Sequence, residues 1–122
     1  MAEDFRTLLK ESGRNGEEER FFEALVIGDW FIMDIQASPL HDCSPAAILD
    51  DPMDYENFQV NLSTQTGAIA YGSRGAWLEL KDKPWASYFS QYAPFLLEGA
   101  FIPPEDVQQI YEDLIEYADS HE

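Results

Sequence analysis

His41-Asp42-Cys43 is the stretch of this chain that places a thiol beside an imidazole. A cysteine nucleophile needs a base in space to lower its pKa and donors for an oxyanion, and neighbours in sequence seldom supply that geometry. The second histidine, His121, stands at the end of the chain, and one Cys with two His at no regular spacing is not a zinc ligand set. Neither a G-x-G-x-x-G fingerprint nor a P-loop occurs. The glycines of TGAIAYGSRGAW sit where hairpin turns need them. Acid–base work needs a selected pair of carboxylates, and nothing in the spacing selects one from the 24 present. The chemistry-bearing residues point away from catalysis and towards binding, with a small enzyme acting around Cys43 as the least favoured alternative.

Two carboxylate clusters stand out instead. ILDDPMDYENF holds Asp50, Asp51, Asp54 and Glu56 within seven residues. Read as a calcium loop it fails in detail, because Pro52 interrupts it and no glycine occupies the turn position. No metal and no cofactor is expected. The second cluster lies in PPEDVQQIYEDLIEYADSHE, which carries seven carboxylates and no Lys or Arg. On a helical wheel of about 100° per residue, Val107, Ile110, Tyr111, Leu114, Ile115, Tyr117 and Ala118 fill one broad side. Glu105, Asp106, Glu112, Asp113, Glu116 and Asp119 fill the other. Glu105 and Asp106 suit the helix N-terminus, whereas Asp119 and Glu122 oppose the dipole at its far end. Glu112 and Glu116 form a like-charged i, i+4 pair, destabilising by a few tenths of a kcal/mol. Side chains three or four positions apart lie roughly 5–6 Å from each other, a spacing comparable to that of neighbouring phosphates on one nucleic-acid strand. Such a row presents to Lys and Arg a field like that of a DNA backbone. Tyr55, Tyr88, Tyr92, Tyr111 and Tyr117 stand near acids, where tyrosine supplies rigid contact area in an interface or packs into the core with its hydroxyl at the edge.

The whole composition agrees with this reading. The chain has 122 residues, enough for one domain spanning 1–122 with its own core. Hydrophobic residues make up 45% and aromatic residues 14%, values of a folded protein and not of an acidic tail. The formal net charge is −17. Phe21 to Ser73 carries eight acids and no base, and Pro84 to Glu122 repeats that pattern. Direct contact with nucleic acid or with an anionic membrane is disfavoured, since both need positive charge. A basic protein partner is favoured, self-association is opposed, and a monomer is expected. A single Cys, no apolar run of spanning length and an N-terminus unlike a secretory signal lead to the expectation of a cytoplasmic protein.

The elements that must position these residues read as follows. Ala2 to Glu11 predicts a short helix with Phe5, Leu8 and Leu9 on one stripe, stopped by Ser12 to Gly16. Phe21 to Ile27 suits a helix end or a strand, Gly28-Asp29 a turn, and Trp30 to Ala37 a strand with Phe31, Met33 and Ile35 on one face. Ser38 to Glu56 reads as loop, with a helical turn at Pro45 to Leu49 capped by Ser44. Asn57 to Thr64, Gly67 to Tyr71 and Ala76 to Lys81 predict an antiparallel meander. Trp85 to Leu97 predicts a broken, buried helix interrupted at Pro94, and Pro104 opens the last helix. The class is α+β, a single domain with an antiparallel sheet of three to five strands, flanking helices and a C-terminal amphipathic acidic helix.

In charge, size and fold class the chain resembles the small acidic DNA-mimic proteins of bacteria and their phages, the HU-binding Neisseria-type mimics nearest among them. The resemblance implies a protein that occupies the DNA-binding face of a basic partner, whether a nucleoid-associated protein of HU type, a repressor or a nuclease. The chain also resembles bacterial immunity proteins, which cap a basic nuclease toxin with an acidic surface.

Overall fold

The computed structural model describes residues 3–28, 30–64, 77–93 and 96–120. Its centre is a five-stranded antiparallel sheet in the order β3-β4-β5-β7-β6, built from Leu25–Ile27, Phe31–Gln36, Phe58–Thr64, Leu96–Ile102 and Phe89–Ala93 respectively. A separate hairpin pairs β1, Glu11–Asn15, with β2, Glu19–Phe22. One long helix, α2, runs from Pro104 to Ser120, and a single helical turn, α1, covers Trp77–Leu80. The α+β class and the acidic C-terminal helix are as the sequence predicts; the flanking helices reduce to short turns.

Period-two alternation decides which face of the sheet is covered. Met33, Leu62 and Leu97 stand in register across β4, β5 and β7, as do Ile35, Val60 and Gly99, and all are buried. Against them α2 buries Val107, Ile110, Leu114 and Ala118, the middle of the stripe its periodicity predicts. The opposite face carries Asp34, Asn61, Glu98 and Ser90 in one cross-strand row. Gly99 is required where β6 and β7 meet, because a Cβ there would lie 2.9 Å from Ile102 Cδ1 and 3.0 Å from the Phe89 ring.

Several expected elements differ. Of the helix expected over Ala2 to Glu11, the described residues form only a 3-10 turn, Phe5–Leu8, capped by the Asp4 carboxylate on the Arg6 N–H, and Glu11 already opens β1. Ser12 to Asn15 does not end a helix but belongs to β1, and Gly16 supplies the positive φ of the hairpin turn. The turn expected at Pro45 to Leu49 is absent; a 3-10 turn forms instead at Pro52–Asp54, where Asp51 accepts from the Met53 N–H. Ala76 to Lys81 was expected as a strand, yet Trp77–Leu80 is helical. Instead of the helix expected over Trp85 to Leu97, the described residues form a 3-10 turn, Pro84–Tyr88, then β6 and the start of β7; the interruption expected at Pro94 lies outside the described residues. The strand expected at Gly67 to Tyr71 lies outside the described residues, as does the Tyr92 side chain. No helix among the described residues is long and apolar enough to cross a membrane.

Candidate functional site

The outer side of α2 is the largest assembly of predicted site residues. Its acids fall into two kinds. Glu105, Glu116 and Asp119 are exposed. Asp106, Glu112 and Asp113 are partly buried, and each is held by a neutral donor. The Tyr88 hydroxyl donates to Asp106 at 2.7 Å. Trp85 Nε1 donates to Asp113 at 2.8 Å, and Gln109 Nε2 to its other oxygen at 3.0 Å. Gln108 Nε2 donates to Glu112 at 2.8 Å and also to the Glu3 carbonyl, so it ties the helix to the N-terminal segment. Both aromatic donors come from the turn Pro84–Tyr88, which packs beside α2. The hydrogen bond and charge of Asp106 raise the Tyr88 pKa.

Cations are scarce around this surface. Among the described residues the ion pairs are Arg6–Asp4 at 2.7 Å and Arg14–Glu11 at 3.0 Å, and neither involves an acid of α2. The paired Arg6 holds the Asp4 carboxyl below its ordinary range. Lys83 lines a polar groove of about 290 Å³ together with Glu79, Asp113, Glu116, Tyr117 and Ser120. Glu79 thereby joins the acidic surface across that groove. Burial, then the charge and hydrogen bond of Glu79, raise the Tyr117 pKa. Sequence reasoning missed Glu79 because it placed the residue on a strand, and α1 is too short to show a helical period.

The second predicted cluster is exposed throughout: Asp50, Asp51, Asp54 and Glu56. The turn Phe5–Leu8 packs against both the turn Pro52–Asp54 and α2. Arg6 feels the charges of both Asp51 and Glu105. The two clusters therefore flank one N-terminal turn, with the Asp4–Arg6 pair between them. Among the described residues no three His, Cys, Asp or Glu side chains converge as metal ligands would.

Tyr55 and Arg20 are both buried. Tyr55 takes the core position that was one of its two expected places: it is 3% exposed, and its hydroxyl lies 2.6 Å from the Ala47 carbonyl and accepts from the Leu49 N–H at 2.9 Å and from Arg20 Nη2 at 2.7 Å. Arg20 itself is buried without a carboxylate. It donates to the Leu49 carbonyl at 2.7 Å and the Ala37 carbonyl at 2.9 Å, and stacks on Phe22 at 4.3 Å. Sequence reasoning counted Arg20 only as a charge; its place at the end of an acidic run gave no signal of burial.

Around Cys43 the thiol donates to the Ser38 carbonyl at 3.4 Å, and burial pushes its pKa up, opposite to the direction a thiolate nucleophile needs. His41 Nδ1 lies 2.6 Å from the Ser38 hydroxyl, which is itself fully buried. Comparison with protein-family models, curated proteins and solved structures yields no match.

Proposed function

We propose that this chain is a non-enzymatic acidic binding protein that occupies the DNA-binding surface of a basic nucleic-acid-binding protein and competes with DNA there. The observation that carries the reading is the arrangement on α2. Six carboxylates line one helix side, and Asp106, Glu112 and Asp113 are fixed in place by Tyr88, Gln108, Trp85 and Gln109. An ionised carboxylate accepts about four hydrogen bonds, so the pinned acids retain acceptor capacity for Lys and Arg. Fixing them in advance lowers the ordering cost of binding. Neutral donors also leave the charge unneutralised, as a mimic of phosphates requires.

The test is a displacement titration. The chain is added to a labelled DNA duplex bound by an HU-type protein, a repressor or a basic nuclease, and DNA release is followed by anisotropy. Release by at least one of the three, lost with Glu112→Lys/Glu116→Lys, supports the reading. Failure to displace DNA from any of them removes it.

A second reading, an immunity protein that neutralises a nuclease-type toxin, draws on exposed apolar residues. Leu40 is 59% and Phe101 52% exposed. Phe101 sits at φ 52, and its N–H bonds the Asp42 carbonyl, in the same loop as Leu40. Apolar anchors of this kind give tight, salt-resistant complexes, whereas a charge mimic loses affinity steeply with salt.

A further inference from the structure

A groove of about 410 Å³ lies along the outer edge of β3, away from the acids pinned on α2. Its wall includes every residue from Glu23 to Gly28 in succession. Side chains of a strand alternate between faces, so the three consecutive strand residues Leu25–Ile27 can line one groove together only along their main chain. Register supports this: Leu25 and Ile27 share a face with Met33 and Phe31, while Val26 points with Ile32 to the other and is 64% exposed. β3 is the end strand of its sheet, and no described strand pairs with its outer edge. The opposite wall is the apolar flank of α2, Tyr111, Ile115 and Ala118.

The ends of the groove differ in charge. Tyr117 packs on Trp30 and Phe31, so the C-terminal end of α2 lies beside the turn that follows β3. Asp119 and the last helix carbonyls make that end negative, and the last turn holds no basic residue. Lys10 and Glu23, both exposed and joined by the Glu23 N–H on the Lys10 carbonyl, mark the other end with one charge of each sign, so only the Asp119 end carries a net charge.

We infer that this groove takes an extended peptide segment as an added antiparallel strand on β3, with a Lys or Arg at its N-terminal end followed by alternating apolar residues. Antiparallel pairing, the mode of every strand pair in this sheet, brings the N-terminus of the added strand to the Gly28 end, where Asp119 stands. The apolar positions then meet Tyr111, Ile115 and Ala118, and main-chain hydrogen bonds supply the rest. A second copy of this chain is disfavoured as the occupant, because two molecules of net charge −17 repel each other. The groove shares Asp119 with the acidic side of α2 but none of the pinned acids Asp106, Glu112 and Asp113, so Ala24→Trp, which touches the groove alone, separates this inference from the proposed function.

The test is selection of a displayed random 12-residue peptide library on the intact chain, followed by affinity measurement of the enriched peptides. Enriched sequences are expected to carry Lys or Arg ahead of alternating apolar residues. Their affinity should fall at least tenfold with Ala24→Trp, which fills the mouth from an exposed position, and several-fold with Asp119→Lys. Thr7→Trp serves as an independent block if Ala24→Trp unfolds by circular dichroism. No enrichment, enriched peptides indifferent to both tryptophans, or peptides lost instead with Glu112→Lys/Glu116→Lys would each overturn the inference. A dimer seen by sedimentation and dispersed by Ala24→Trp would overturn it in favour of a second copy.

Discussion

Arg20 and Tyr55 carry the most consequential hydrogen bonds at the residue scale. Between them they tie the hairpin strand β2 to the loop segment from Ala37 to Leu49. Charge-assisted bonds to carbonyls are worth about 1.5–3 kcal/mol, and removing the donor strands buried acceptors. Arg20→Met should therefore lower stability by about 2–4 kcal/mol in urea unfolding. Tyr55→Phe should cost about 1–2 kcal/mol, and the double variant should lose less than the sum because both act on one network. A value for Arg20→Met near zero would show that the loop holds without it. His41 gives a pH signature. Burial lowers its pKa below the ordinary 6.5, despite the opposing charges of Glu19, Asp34 and Asp42. The unfolded chain then binds the proton more readily, so stability is lost as pH falls below 6.5 towards the folded value. His41→Gln should flatten that part of the stability-against-pH curve; an unchanged slope would assign it to other groups. Cys43 should alkylate slowly at neutral pH in the folded chain and rapidly in denaturant, because its raised pKa and burial withhold the thiolate.

At the scale of elements, α2 combines two opposing demands. Asp119 stands where the helix dipole disfavours an anion, and no cation occupies the last turn. Asp119→Lys should raise stability by about 0.3–1 kcal/mol in thermal unfolding, and a loss would show that Asp119 makes a contact the helix needs. This helix was the most legible element, because 17 residues give several turns of a clear 3.6 period and Pro104 marks its start. β4 and β5 were legible for the same reason, their alternation matching a sheet with one covered face. The errors fall where period is short or aromatic residues dominate. Trp77, Trp85 and Phe89 pack on one another with ring centroids about 6 Å apart, and that cluster turns the chain locally whatever its propensity. Ser12 to Gly16 reads as a helix stop because Gly13, Asn15 and Gly16 break helices, yet the same residues suit an exposed hairpin strand and its turn. Of the candidate site, the row of acids on α2 was legible from spacing. The aromatic donors that pin Asp113 and Asp106 were not, since Trp85 and Tyr88 lie about twenty to thirty residues away in sequence, whereas Gln108 and Gln109 precede Glu112 and Asp113 by one helical turn.

For the molecule as a whole, the dominant fact is a net charge of −17 around an ordinary aromatic core. Self-repulsion on that scale opposes compaction and is screened by salt. Stability should therefore rise with ionic strength up to a few hundred millimolar, while affinity for a basic partner should fall over the same range. Opposite signs of these two slopes distinguish a binding surface made of charge from one made of apolar anchors. The measurement that reaches the central claim most directly is a tagged recovery from nuclease-treated bacterial lysate, at low and moderate salt, with added DNA as competitor and Glu112→Lys/Glu116→Lys in parallel. One basic DNA-binding protein should be recovered, displaced by DNA, weakened by salt and absent with the double variant. Recovery of nothing, or of the same proteins by the double variant, would contradict the claim.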